Sequence, residues 1–327
     1  MGFVVGAYAA LASSGATPAD EQAFYGTLGA NPNVSGFEIP FQADTSAADI
    51  ERIARHLAGA QQSVLSTIPG TVACIRVDPT FGLASMTPDG RKAAIAFAAD
   101  ALRRVHEAND RIGAPAVMAI QFASAPRHAA ARAAAGADRL VESLAEMLEW
   151  PWNGVQLVIE HCDALVLSHE PAKGFLPLTE EIRAIQTVPT DAGARVGICI
   201  NWGRSAVETR NASGPMRHIA TASQHGILAG LMFSGCSSAA TVYGPPWSDA
   251  HLPPAPDGDS SMGEPLSLMS RTEMARALQQ VGNWGTTYLG LKIAAPSDAP
   301  LSARMELVER SLRTLRDAEY DSFGADG

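Results

Sequence analysis

The sequence predicts a single (β/α)8 TIM barrel, on three observations. Apolar, strand-like runs alternate with helical stretches eight times along the 327-residue chain. Three of those runs, 155–159, 196–200 and 228–233, pass directly into polar segments: Glu160-His161-Cys162-Asp163, Asn201-Trp202-Gly203-Arg204 and Ser234-Gly235-Cys236-Ser237. Strands buried on both faces, with reactive groups at their C-terminal ends, are what a parallel α/β enzyme presents at its active face. Finally, no glycine-rich turn of the GxGxxG type follows the first strand, as an open doubly wound sheet would usually show.

The first strand is expected over 3–8, Phe3-Val4-Val5-Gly6-Ala7-Tyr8, a run too short and too free of basic residues for a signal segment. Thr17-Pro18-Ala19-Asp20 then starts a helix over 18–29, by a side-chain cap and an early proline. Strand two, 36–41, contains Gly36-Phe37-Glu38-Ile39-Pro40, and a helix over 46–60 separates it from strand three at 63–68. A long connection, 69–87, leads to a helix over 88–111, strand four at 116–122 and a helix over 128–149. Strand five (155–161) is followed by a helix over 178–187, and strand six (195–201) by one over 214–225. Strand seven (228–234) opens a second long connection, 235–269, which holds Tyr243-Gly244-Pro245-Pro246-Trp247-Ser248-Asp249-Ala250-His251. Long β→α loops lie on the catalytic face, so this one is a candidate lid. A helix over 270–282, strand eight at 288–293 and a helix over 302–318 complete the set; in the last, Met305, Val308, Leu312 and Leu315 form one apolar stripe. The barrel is therefore expected over 1–318, with the acidic 319–327 as a frayed tail.

A hydrophobic content of 46% gives a chain of this length a large core. The formal net charge is −10 and no basic cluster exceeds two residues, which argues against a nucleic-acid or anionic-membrane surface. No segment approaches the roughly 20 apolar residues of a membrane span. The four cysteines, Cys74, Cys162, Cys199 and Cys236, form no CxxC pair, as expected of reduced thiols in a cytoplasmic protein. Composition leaves open whether the chain forms a homo-oligomer.

Strand ends supply the candidate chemistry. Glu38 lies in strand two; Gln121 and Ser124 close strand four; Glu160, His161 and Asp163 close strand five. Asn201, Arg204 and Glu208 follow strand six, Ser234 closes strand seven, and Lys292 sits in strand eight between apolar neighbours. A buried charge without a partner is costly, so Lys292 and these carboxylates are expected to converge at the barrel mouth as a general acid–base set. Trp247 and His251, on the long loop, are candidate substrate contacts. Plainer roles compete. Arg204 and Glu208 are four apart and could form a surface salt bridge, Asp249-Ala250-His251 resembles a short pair of metal ligands, and Trp202 and Trp247 could stack on a sugar or simply pack.

Several blocks carry a resemblance: Phe37-Glu38-Ile39-Pro40, Thr67-Ile68-Pro69-Gly70, Phe81-Gly82-Leu83-Ala84-Ser85, Ser124-Ala125-Pro126 and Ile159-Glu160-His161-Cys162-Asp163-Ala164. They continue with Lys173-Gly174-Phe175-Leu176, residues 201–208, Met232-Phe233-Ser234-Gly235 and Leu289-Gly290-Leu291-Lys292. Nearly end to end, the chain resembles the xylose isomerase-like TIM barrels, the superfamily of sugar isomerases and sugar-phosphate epimerases. Within it the chain looks most like a family defined by a domain of unknown function.

The resemblance implies a small carbohydrate-type substrate and proton abstraction next to a carbonyl. In the wider superfamily a divalent metal is held by a Glu on strand five, an Asp or Glu on six, a His on seven and a Glu on eight. Only Glu160 matches; Asn201, Ser234 and Lys292 occupy the other places. An ammonium at the last place is hostile to a dication, so the expectation is an enzyme with no metal cofactor, in which Lys292 stabilises the oxyanion instead. Glu160 is then the expected base, Glu38 a second acid–base group, and His161, Asn201 and Arg204 bind hydroxyl or phosphate groups. The alternatives are a site holding a divalent metal such as Mn or Zn, a Schiff-base lyase or aldolase using Lys292, and a non-catalytic carbohydrate-binding barrel.

Overall fold

Short runs buried on both faces make the strands of this chain, as a parallel sheet covered by helices requires. In the computed structural model, which describes residues 2–12, 14–56, 62–188, 196–258 and 262–323, eight of them close into one parallel barrel in sequence order. They are β1 (Phe3–Val5), β2 (Val34–Pro40), β3 (Ser63–Ser66), β4 (Val117–Phe122), β5 (Gln156–His161), β6 (Gly197–Asn201), β7 (Leu228–Phe233) and β8 (Tyr288–Leu291). The helices are α1 (Ala7–Leu11), α2 (Pro18–Gly29), α3 (Ala47–Ala54), α4 (Ile68–Val77), α5 (Pro88–Ile112) and α6 (Ala133–Leu148). They continue with α7 (Leu178–Thr187), α8 (Trp202–Thr209), α9 (Gly214–Gln224), α10 (Arg271–Leu278) and α11 (Leu301–Phe323). The (β/α)8 expectation holds.

Local chemistry sets many of these boundaries. Thr17 and Asp20 form a capping box at the start of α2, with Pro18 in its first turn, and Ser46 and Asp49 do the same for α3. The Thr87 hydroxyl caps α5, and that helix stops at Gly113, whose φ of +76° suits glycine. Three expectations change. The strand expected over 3–8 ends at Val5, and α1 takes up the chain from Ala7. The connection 69–87 is not all loop, because α4 occupies its first part. Pro69 starts that helix instead of breaking it, and Ile68, Val72 and Ile75 pack on Ala123, Ala125, Cys162 and Phe175. The tail expected over 319–327 is helical as far as it is described: α11 runs to Phe323, with Glu319 buried and paired to Arg316 and Phe323 packed on Trp284 at a ring distance of 4.9 Å. Residues 324–327, the end of the helix expected over 46–60, the first residue of the strand expected from 195, and 259–261 of the second long connection lie outside the described residues.

The chain gathers into two compact units, one of Met1–Glu38, His56–Ala60 and Ile200–Gly327, the other of Ile39–Arg55 and Gln61–Cys199. In the first, β1 pairs with β8 through Val4↔Gly290 and Val5↔Leu291, and β8 pairs with β7. In the second, β3, β4 and β5 pair in order. Among the described residues no helix is long and apolar enough to cross a membrane.

Arg304 is a structural ion of the first unit. Fully buried on α11, it donates to the carbonyls of Ala10, Ala12, Pro296, Ser297 and Ala299. It thereby ties the segments after β1 and β8 together through their carbonyls. Arg304→Ala is expected to lower unfolding stability by about 3 kcal/mol or more in urea titrations, since several buried acceptors lose their donor at once. Arg304→Lys should recover less than half of that loss; an alanine variant as stable as the parent would contradict the assigned role.

Candidate active site

Glu38 sits on β2, and the register Val5↔Phe37 brings it beside the end of β1. Lys292 follows β8 directly, its backbone N–H donating to the Phe233 carbonyl at 2.8 Å, so the strand ladder aims its side chain. Lys292 Nζ donates to Glu38 Oε1 at 2.9 Å, and Tyr8 OH, from α1, donates to the same oxygen at 3.2 Å. The ammonium also lies 5.3 Å from the centroid of the Tyr8 ring. Glu38 is 0% exposed and Lys292 2%. The second oxygen, Glu38 Oε2, is buried and has no hydrogen-bond partner. Gly6 makes this closeness feasible, since a Cβ there would stand 2.9 Å from Glu38 Oε2 and 2.9 Å from Lys292 Cβ.

The same unit holds a second polar group. Asn201 ends β6 and accepts the Arg204 backbone N–H with its side-chain oxygen at 3.3 Å, capping α8. Arg204 Nε donates to Asp249 Oδ2 at 3.1 Å. Asp249 Oδ1 lies 3.4 Å from His251 Nδ1, which is in turn 2.8 Å from Ser234 Oγ at the end of β7. Glu208 lies 3.7 Å from His218, whose Nδ1 is 3.0 Å from Ser205 Oγ. Arg204 and Glu208 are not the surface pair one expectation allowed, since their side chains are 2% and 10% exposed. The Arg210 guanidinium lies 5.2 Å from the Trp247 ring centroid. The long connection is pinned by a two-way backbone bridge between Gly235 and Leu252. Burial, aided by the charge of Asp249, pushes the Cys236 thiol up to about 12, which leaves it unreactive at neutral pH.

The second unit carries its own cluster at the ends of β4 and β5. Glu160 and His161 are fully buried. His161 Nδ1 lies 2.7 Å from Glu181 Oε2, and Ser124 Oγ donates to Glu181 Oε1 at 2.5 Å. Gln121 Nε2 donates to Cys199 Sγ at 3.6 Å. Asp163 works on the loop that follows β5: Oδ2 accepts the Lys173 N–H at 2.8 Å, and its carbonyl accepts from Gly174 and Phe175. Nearby, burial pushes the His128 imidazole below its usual range, a backbone hydrogen bond to Ala84 opposing.

Sequence reasoning named neither Tyr8 nor Glu181 as a site residue. Glu181 was findable: it falls at i+3 in the stripe Leu178, Ile182, Ile185 of α7, an acid where an apolar residue belongs. Tyr8 closes the expected first strand and gave no such signal. Three of the four places that the resemblance assigns to metal ligands are otherwise engaged. The Asn201 oxygen caps a helix, Ser234 bonds His251, and Lys292 is a cation paired with Glu38.

The chain's relatives can now be set beside this geometry. The model of the family with a domain of unknown function, DUF4862, matches residues 4–307. The chain belongs to that family. An uncharacterised protein of Salmonella typhimurium is 30% identical over 319 residues, 97% of each chain. Among solved structures, D-psicose 3-epimerase with D-tagatose from Clostridium cellulolyticum superposes with a TM-score of 0.55 at 15% identity, covering 98% of this chain and 97% of that one. An IolI protein with a bound zinc atom gives 0.58 at 11% identity, covering 98% of each. A xylose isomerase domain protein of Alicyclobacillus acidocaldarius gives 0.51 at 12% identity, covering 99% of this chain and all of that one. At such identities the likeness is one of fold, the closed eight-stranded parallel barrel.

His128 gives this family member a specific acid sensitivity. Its folded pKa lies below the unfolded value of about 6.5, so the unfolded chain binds a proton first as pH falls. Above that pH the histidine contributes nothing to the pH dependence. Stability is lost as pH drops from there through the folded pKa. His128→Gln should therefore lose less stability than the parent between about pH 7.5 and 5.5 in urea titrations; equal losses would rule the histidine out.

Proposed function

We propose that this protein is an isomerase- or epimerase-type enzyme that moves a proton next to a carbonyl of a small sugar, without a metal. The supporting observation is the buried Lys292–Glu38 pair, in which Tyr8 and Lys292 both hold Oε1 while Oε2 has no partner. A carboxylate fixed by one oxygen and unsolvated at the other is suited to take a proton from carbon. Lys292 supplies the positive charge that a growing enediolate oxygen needs. Glu38 takes the base role that the sequence expectation gave to Glu160, because Tyr8 and Lys292 both hold its Oε1. Schiff-base chemistry is disfavoured, since drawing Lys292 into an imine would strip a buried carboxylate of its cation. An uncharged sugar is the first substrate class to test: Arg204 is already engaged by Asp249, and the net charge of −10 repels anions.

With a panel of ketohexoses, aldohexoses and their phosphates, Glu38→Gln and Lys292→Met should each lower kcat by about 10²-fold or more. The double variant, which removes both buried charges, controls for folding. Full turnover by Lys292→Met would sink the lysine's part, and trapping of substrate on Lys292 by borohydride would install the lyase. Metal analysis of untagged protein purified without chelator is expected to find less than stoichiometric divalent ion. Stoichiometric Mn or Zn would restore the metal alternative.

A further inference from the structure

β7 and β8 run side by side through Phe233↔Leu291, and the Lys292 N–H donates to the Phe233 carbonyl at 2.8 Å. Ser234 and Lys292 are therefore the next residues of two neighbouring strand ends. They share a face: a Cβ at Gly290 would strike Met232 Sδ, and Ser234 and Lys292 each lie two positions further on. Ser234 is fully buried, and its hydroxyl meets one partner among the described residues, His251 Nδ1 at 2.8 Å.

Asp249 decides the direction of that bond. Its Oδ2 accepts from Arg204 Nε at 3.1 Å, and its Oδ1 lies 3.4 Å from the same His251 nitrogen. A lone pair on Nδ1 would face a carboxylate that can only accept, so Nδ1 carries a hydrogen, as it does in the Nδ1–H ring and in the imidazolium alike. Ser234 Oγ accordingly accepts from His251, and its own hydrogen is turned away from the ring.

We propose that Ser234 binds substrate: its hydroxyl donates to the oxygen on the carbon next to the carbonyl that Lys292 polarises, and Asp249 and His251 are the positioning residues that keep it a donor. The inference rests on the proton-transfer reading above and draws every residue from the first compact unit. It names the substrate class as an α-hydroxycarbonyl, the open-chain form of an aldose or ketose, because a plain ketone lacks the second oxygen. When Glu38 takes the hydrogen from that carbon, the C–H pair becomes the C=C bond and the carbonyl pair moves onto the oxygen facing Lys292. The neighbouring oxygen keeps its hydrogen bond from Ser234 throughout.

The hydrogen can be located without any ligand. In the 15N-labelled full chain His251 Nδ1 should be protonated from about pH 6 to 9, assigned by the signals lost in His251→Gln. An unprotonated Nδ1 would overturn the proposal and leave the enzyme reading intact. Acetohydroxamate, which presents two neighbouring oxygens as an enediolate does, and acetamide, which has one, serve as probes in shift titrations with EDTA present. The parent should bind the hydroxamate about tenfold or more tightly than the amide. Ser234→Ala should abolish that preference by weakening the hydroxamate alone, whereas Lys292→Met should weaken both. A parent without the preference, or an unchanged preference in Ser234→Ala, would overturn the proposal. Unchanged binding of both probes by Lys292→Met would overturn the proton-transfer reading, and this inference with it.

Discussion

A lysine and a glutamate buried against each other are the constraint around which the ends of β1, β2 and β8 are arranged. Each ion taken from water costs several kcal/mol, and only close, well-aimed contacts offset that. The contacts come from the backbone. Lys292 is aimed by its ladder bond to Phe233, Glu38 by its place in β2, and Tyr8 by the short helix that follows β1. Gly6 is required by this crowding and not by its dihedrals, for its φ is an ordinary −80° while a Cβ would strike both partners. Apolar residues of similar volume would fill such a space at no loss of stability, and often with a gain. Fold stability alone therefore does not account for the pair.

The second unit solves a similar problem differently. Its buried carboxylate, Glu181, meets no cation side chain in the bonds it makes to Ser124 and His161. Two hydrogen bonds satisfy it instead, one to each oxygen, which removes the rotational choice of both partners. The loop after β5 is organised in the same manner, since Asp163 uses its carbonyl and one carboxylate oxygen to hold 173–175. There Gly174, at φ +75°, supplies the left-handed turn that brings its N–H onto that carbonyl.

Much of the architecture was legible because its signals are local. The helices expected over 18–29 and 178–187 match α2 and α7 end to end, set by caps, prolines and apolar spacing within a few residues. Several strand ends were legible too, because runs such as 155–161, 195–201 and 228–234 stop where polar residues begin, whereas the run expected over 3–8 breaks at Gly6 into β1 and α1. Helix α4 was not, since Pro69-Gly70 marks a break by composition, and only contact with Ala123, Ala125, Cys162 and Phe175 makes that segment a helix. Pairings were the least legible. Lys292 and Glu38 are 254 positions apart, and no period in the sequence links them.

The group around Arg204 explains that limit most fully. Asn201, Arg204 and Ser234 are strand-end residues, but what joins Arg204 to Ser234 is Asp249 and His251, from the connection after β7. To deliver them, that connection adopts positive φ at two residues that are not glycine, +59° at Trp247 and +54° at His251. Each such residue costs about 1–3 kcal/mol unless its surroundings compel it. Here they do: Gly235 and Leu252 exchange two backbone bonds, Ala294 N–H donates to the His251 carbonyl, and the Trp247 N–H donates to Ser237. Strain held by a bonded frame fixes where Asp249 and His251 stand, so this part of the site is set by a loop and not by the barrel. Apolar periodicity sees strands and helices, and it is silent about a loop whose shape is paid for by contacts at its two ends.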